Sequence, residues 1–195
     1  CGNELASERP MVRKFIIDSC LHWIKDYKID GIRFDLMELL DIDTTKEIVK
    51  KTTKLDKNFL IYGEPWKGGS SPLVNGTYKG SQKNENFSIF NDTFRDAIRG
   101  NNHPSSGFIN GNQYSSICNW SIIEGLKGSI YTITSNPNES INYVDAHDNY
   151  TLWDQVEKSQ NQSIKFGEFR FNIPDYPLNS NLVKQDLLGM AIIFT

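Results

Sequence analysis

The sequence predicts an α/β fold in which a parallel sheet is covered by helices, arranged as part of a (β/α)8 TIM barrel, and three observations predict it. Helix-like and strand-like periods alternate along the chain without an internal repeat, as crossovers between parallel strands require. Short apolar runs end in carboxylates at barrel spacing. Asp35 and Glu64 are 29 positions apart, close to the roughly 30 residues of one strand-plus-helix unit, and Glu64 and Asp148 are 84 apart, two such units with a long insertion. A doubly wound sheet shows the same alternation, but no Gly-x-Gly-x-x-Gly turn follows any strand, so a dinucleotide fold loses its main support.

The elements follow in order. Ser7-Glu8-Arg9-Pro10 reads as a helix start with a capping hydroxyl, and Val12, Phe15, Ile16, Cys20, Trp23, Ile24 and Tyr27 continue it at helical spacing. After Asp30-Gly31 a strand is expected over Ile32 to Leu36, with Arg33 and Asp35 on one face because side chains alternate along a strand. Thr44 or Thr45 can cap a second helix whose inner face is Ile48, Val49, Thr52 and Leu55. Phe59 to Tyr62 suits a strand buried on both faces. Residues of about 67–85 are rich in Gly, Ser and Asn and read as a long insertion loop on the surface.

Phe87, Phe90, Phe94, Ala97 and Ile98 give a helical stripe ended by Gly100. Ile117, Trp120, Ile123 and Leu126 suggest a short helix weakened by Gly125 and ended by Gly128. Ile141 to Val144 reads as a third strand, with Asp145-Ala146-His147-Asp148-Asn149 at its end. Leu152, Trp153 and Val156 begin another helical segment. A polar, Pro-bearing loop precedes a helix over Leu182 to Met190, and Ala191 to Thr195 resembles the start of a strand.

A chain of 195 residues with 38% hydrophobic and 12% aromatic residues can bury one sizeable core, so 1–195 is expected to be one domain. The net charge of −3 comes from 21 basic and 24 acidic residues spread along the chain, which points away from nucleic acid as a partner. No apolar run approaches the roughly 18 residues that span a bilayer, and no signal-peptide pattern opens the chain. A membrane partner is therefore not expected, and the compartment leans cytoplasmic, with secretion open to a longer chain. Cys1, Cys20 and Cys118 form no Cys-x-x-Cys pair, so neither a zinc site nor a disulfide framework is indicated.

Asp35, Glu64 and Asp148 each end an apolar run, the position from which barrel strands present chemistry. Three carboxylates on one rim repel and raise at least one pKa, a cost without a structural motive. Arg33 and His147 would offset part of it. A metal cluster would also gather acids, but Arg33 would set a cation beside the presumed ligand Asp35. Glu38, Asp41 and Asp43 could make a calcium loop and read rather as solvating the strand exit and the next helix start. No cofactor is required, and calcium is left open but not indicated. Glycosidic cleavage, the other reading, needs one carboxylate as nucleophile and one as proton donor. Tyr62, Trp66, Tyr150 and Trp153 lie beside the acids, and Trp66, after Pro65, is the best candidate to stack on a sugar.

Gly31-Ile32-Arg33-Phe34-Asp35, Gly63-Glu64-Pro65-Trp66 and Ala146-His147-Asp148-Asn149 resemble three of the four conserved regions of the α-amylase superfamily, glycoside hydrolase family 13. Asn3 to Ser7, Arg9 to Ser19, the run to Asp41 and Asp148 to Asp154 are similar to its α-1,6 debranching group, the type I pullulanases. The resemblance implies a retaining hydrolase acting on branch linkages in pullulan, glycogen or limit dextrins. In it Asp35 is the nucleophile, Glu64 the general acid/base and Asp148 the transition-state stabiliser, with Arg33, His147 and Trp66 binding substrate. A branching enzyme or an amylase would use the same three acids; a non-catalytic glucan-binding relative is the alternative from another class, and the presence of all three acids argues against it. The family's first conserved region would precede Cys1, so the resemblance also implies an arc from the fourth strand to the start of the eighth, truncated at both ends and inactive alone.

Overall fold

The computed structural model describes residues 4–103, 105–160, 177–178 and 180–195, in two compact units. The first comprises Cys1–Phe90 and Gly128–Ile141, the second Asn91–Lys127 and Asn142–Thr195. The loop expected before the last helix falls mostly outside the described residues.

In the first unit, helix α1 (Pro10–Tyr27) buries Ile17, Cys20 and Ile24; of the expected stripe Cys20 and Ile24 face inward, whereas Phe15, Trp23 and Tyr27 are exposed. It is not capped by Ser7. Arg9 stands at the N-cap without a side-chain bond, and Pro10 at the first turn needs no acceptor there. Ser7 is instead buried, and its hydroxyl accepts the Asp41 N–H at 2.8 Å. Strand β1 (Gly31–Phe34) ends two residues before the expected Leu36. Helix α2 (Ile42–Leu55) is capped by Asp41, which accepts the Thr44 N–H at 3.1 Å. Thr44 and Thr45, the expected caps, lie buried in its first turn. An ionised side chain at the N-cap also faces the positive end of the helix dipole.

Strands β2 (Leu60–Gly63), β3 (Ser88–Phe90) and β4 (Ser140–Ile141) complete a four-stranded parallel sheet in the order β1-β2-β3-β4. This is the expected architecture, with corrections. Phe90 ends strand β3 and Phe87 immediately precedes that strand, so neither belongs to the helix that follows. Spaced three apart they satisfy a helical period, but Phe87 and Ile89 alternate against Ser88 and Phe90. The third expected strand is the fourth in the sheet, and only Ser140 and Ile141 pair. Leu60 is 47% exposed, so β2 is not buried on both faces.

Strand alternation sorts the sheet's residues. Ile61, Phe87 and Ile89 join Ile17, Cys20, Ile24, Ile48 and Val49 in one core, with Ile32 and Phe34 packed against it. Arg33 is in register with Tyr62, and Tyr62 with Ser88, so Arg33, Tyr62, Ser88 and Phe90 share the opposite face. The segment of about 67–85 carries no helix or strand and is not wholly superficial. Thr77 and Gln82 are fully buried; the Thr77 N–H donates to Leu40 O at 2.8 Å and Gln82 Nε2 to Ile133 O at 2.7 Å. Polar residues in such a loop are satisfied inward as readily as by water.

The second unit contains helices α3 (Asp92–Arg99), α4 (Ser116–Leu126), α5 (Leu152–Gln160) and α6 (Asn181–Ile193). Its core includes Phe94, Ala97, Ile98, Ile109, Ile122, Val144, Leu152 and Val156. Helix α4 turns the expected stripe outward: Ile117, Trp120, Ile123 and Leu126 are each more than half exposed, while Ser121, Ile122, Glu124 and Gly125 are buried. Gly125 is the reason. A Cβ there would stand 2.0 Å from Phe94 Cδ2, so the glycine is the seat on which α3 packs and not a defect. Ala191 to Ile193 continue α6 and are not a strand; the helix runs on through the buried Gly189, where a Cβ would stand 2.9 Å from Leu152 Cδ2, so the glycine serves close packing and does not end the helix.

Candidate active site

The end of β1 turns sharply. Leu36 adopts a left-handed conformation, φ 43° and ψ 53°, which points its N–H to Glu64 Oε2 at 3.0 Å. Two backbone bonds register the adjoining strand end: the Glu64 N–H donates to Phe34 O at 3.0 Å and the Met37 N–H to Glu64 O at 2.8 Å. The close passage depends on Gly63, where a Cβ would stand 2.7 Å from Phe34 O and 2.8 Å from Met37 Sδ. Glycine is the residue that permits it.

Arg33 joins the two acids. Its Nη1 donates to Asp35 Oδ1 at 2.8 Å, and its Nη2 lies 2.8 Å from Glu64 Oε1. The two carboxylates differ in environment. The Asp35 side chain is 64% exposed, whereas that of Glu64 is 7% exposed. Burial pushes the Glu64 carboxyl above its ordinary range, and the neighbouring Asp35 pushes it the same way. The Leu36 N–H and the Arg33 guanidinium oppose that rise without cancelling it. One acid thus faces solvent in contact with a cation, while burial of its neighbour favours the protonated form of Glu64.

The expected site residues fall into two sets. The structure brings Arg33, Asp35 and Glu64 together in the first unit. His147 and Asp148 belong to the second; both are exposed, with His147 Nε2 3.6 Å from Asp148 Oδ1. Trp66 is half-buried in the loop leaving β2, after the buried Pro65. Among the described residues no group of three His, Cys, Asp or Glu side chains could hold a metal ion. Of the acids considered for calcium, Asp41 is 3% exposed, and its capping oxygen also accepts from Arg13 Nη2 at 2.8 Å. Glu38 faces Lys67 at 3.6 Å. Two contributors were not visible in sequence. The Leu36 N–H acts through a left-handed backbone that no Gly or Asn announces, and the Phe90 ring lies across the Arg33 guanidinium, 5.7 Å from Cζ to centroid. The alternation from Phe87 to Phe90 was the available signal for the second.

No family model matches the chain. It is 39% identical over 165 residues to the pullulanase of Bacillus subtilis (strain 168), covering 80% of this chain and 22% of that protein. Among solved structures, the pullulanase from Bacillus acidopullulyticus superposes with a TM-score of 0.86 at 38% identity, covering 100% of this chain and 22% of that one. A pullulanase from Anoxybacillus sp. LM18-11 complexed with maltotriose superposes with a TM-score of 0.74 at 38% identity, covering 80% of this chain and 22% of that one. The chain therefore spans about a fifth of the length of the relatives it matches. With the parallel sheet and the Arg33-linked carboxylates in place, these likenesses show that the chain belongs to the pullulanase family.

Proposed function

We propose that this chain carries the nucleophile and the proton donor of a retaining glycoside hydrolase that cleaves α-1,6 branch linkages in α-glucans. The observation that supports it best is the single guanidinium in contact with an exposed and a buried carboxylate, 2.8 Å from each. Retaining enzymes keep their two carboxyl groups about 5 Å apart, a span that one bridging guanidinium accommodates. The likeness to a pullulanase complexed with maltotriose supports an α-glucan as the ligand class.

In the proposed reaction Asp35 attacks the anomeric carbon while Glu64 gives its proton to the departing glycosidic oxygen. The bond to that oxygen breaks with its electron pair, leaving a glycosyl ester on Asp35. Glu64, now a carboxylate, takes a proton from water, which attacks the same carbon and releases Asp35. Two inversions retain the α configuration. Arg33 keeps Asp35 ionised in the free enzyme. Asp148 is proposed to hold the hydroxyls of the distorted sugar, His147 to donate a hydrogen bond to it, and Trp66 to stack on a ring.

The test uses a polypeptide of the relatives' full length that carries this chain. Asp35→Ala is expected to abolish release of maltotriose from pullulan while glucan binding persists, and Glu64→Gln to lower kcat by about 10²- to 10⁴-fold. Either variant turning over pullulan at the normal rate would overturn the assignment. New branches formed in amylose would replace hydrolysis by transfer, and glucan binding without any turnover by the unmodified protein would replace catalysis by recognition.

A further inference from the structure

The aromatic pair at the ends of β2 and β3 has no part in the reaction as written, yet it lies against the one cation that both acids share. The Arg33 Cζ is 5.7 Å from the centroid of the Phe90 ring, inside the roughly 6 Å over which a ring face attracts a guanidinium. Phe90 is itself braced. Tyr62, the register neighbour of Arg33 on β2, meets it edge to face, with centroids 5.5 Å apart and planes at 76°. That is a favoured geometry for two aromatic rings. All three side chains stand on the sheet face opposite the apolar core, so the core does not hold Arg33 from behind.

A guanidinium is a planar fork on a long flexible stem. Contacts from Nη1 to Asp35 and from Nη2 to Glu64 lie near its plane and leave its faces unsupported. Asp35 is the exposed partner, where water competes for the same donor. Resting on the reading of Asp35 and Glu64 as the catalytic pair, we propose that Phe90 is a positioning residue for glycosidic cleavage. Its ring, braced by Tyr62, supports one face of the Arg33 guanidinium so that a single cation reaches both acids at once. Without that support Arg33 spends less time between the carboxylates, and both become harder to ionise.

The consequence is readable in the pH profile. The charged groups facing Glu64 are Arg33 and Asp35, so the two carboxyl groups share one cation. Hydrolysis needs Asp35 as the anion, which sets the acid limb of kcat/KM, and Glu64 as the acid, which sets the alkaline limb. A looser Arg33 therefore moves both limbs to higher pH. In the full-length protein acting on pullulan, Phe90→Leu is expected to do this and to lower kcat by about three- to ten-fold with KM changed less than about two-fold. Phe90→Tyr retains the ring face and is expected to keep both limbs in place.

A Phe90→Leu enzyme whose kcat falls equally at every pH, with both limbs unmoved, overturns the proposal, because loss of folded protein alone does that. A Phe90→Tyr enzyme as impaired as Phe90→Leu overturns it too. Should Phe90→Leu fail to fold, Phe90→Met, which fills a similar volume without a ring face, carries the same comparison. Asp35→Asn and Glu64→Gln belong in the series as controls. If either retains activity, the reading of the catalytic pair fails; if both are inactive while Phe90→Leu keeps its limbs, only the positioning role fails.

Discussion

Leu36 donates its backbone N–H to Glu64 Oε2 at 3.0 Å from a left-handed conformation, so a branched apolar residue holds a backbone shape that usually falls to Gly or Asn. The shape persists because it aims a donor at a buried acid. Leu36→Ile keeps the apolar volume but adds a branch at Cβ, which is poorly tolerated at positive φ. It is expected to lower stability by about 1–2 kcal/mol. Chemical denaturation of the full-length protein measures this, and an Ile variant as stable as the parent means the turn is not left-handed in solution.

Gly125 offers a second packing test. Alanine is the better helix former by about 1 kcal/mol, so propensity alone predicts that Gly125→Ala strengthens α4. Its Cβ would meet the Phe94 ring, and Phe94 is 1% exposed with no room to retreat. The variant is expected to lose about 1–3 kcal/mol, the usual cost of overpacking. Combining it with Phe94→Leu should recover part of the loss, since the two changes share one contact. Thermal unfolding of the single and double variants decides it, and a stabilised single variant means that propensity outweighs packing at this position.

The fold class and the acid pair were legible in the sequence because each rests on a local period. The motif around β1 predicted that Arg33 and Asp35 meet, as they do at 2.8 Å although the strand ends at Phe34, and 29 positions of strand and helix placed Glu64. What sequence reading missed was decided by distant partners. Ser7 resembles a helix cap and serves Asp41, 34 positions away. Thr44 resembles a cap and instead donates its hydroxyl to Ser7 O at 2.9 Å. The α4 stripe turned outward because Gly125, not the larger residues, fits against Phe94. The tertiary contacts that override a local preference leave no periodic trace.

Asp41 links α2 to α1 through Arg13 and to the preceding segment through Ser7. Burial alone would raise its pKa, but the hydrogen bonds from Thr44 and Ser7 and the charge of Arg13 outweigh burial and lower it from 3.8. A carboxyl depressed in the folded state contributes stability that is present above its unfolded pKa and lost as pH falls through the folded value. Asp41→Asn should remove this acid sensitivity below about pH 4. At neutral pH it should cost about 1–2 kcal/mol, because Arg13 loses its anion. Urea midpoints across that window test the claim, and parallel curves for the two proteins would refute it.

The chain on its own should behave differently from a full-length relative. β1 and β4 lie at the edges of the four-stranded sheet, and α1 exposes Met11, Phe15, Trp23 and Tyr27 by 75, 65, 48 and 61%. Apolar surface and open strand edges of this kind promote association. The 195-residue chain is expected to bind an apolar dye, to associate as concentration rises and to leave pullulan intact. A monodisperse, cooperatively unfolding chain that releases maltotriose would refute both expectations.

Glu64 should limit stability at neutral pH while enabling the chemistry. Burial and Asp35 raise its carboxyl above 4.5, against the opposing pull of the Leu36 N–H and Arg33. A carboxyl raised in the folded state means that the folded protein binds more protons than the unfolded chain between the two pKa values. Stability from this group is therefore greatest below the unfolded value and declines as pH rises through the folded one. Gln cannot ionise, so Glu64→Gln escapes that decline. The stability difference between the Gln variant and the parent should shift in favour of Gln as pH rises from about 4 to about 7. Asp41 is present in both proteins and drops out of the comparison. Urea unfolding at the two pH values measures the shift, while hydrolysis of pullulan by the same variant should be nearly abolished. A difference that shifts toward the parent instead would mean that Arg33 and the Leu36 N–H outweigh burial. Glu64 would then be an ordinary anion at neutral pH and a poor proton donor, and the division of roles between the two acids would have to be reversed.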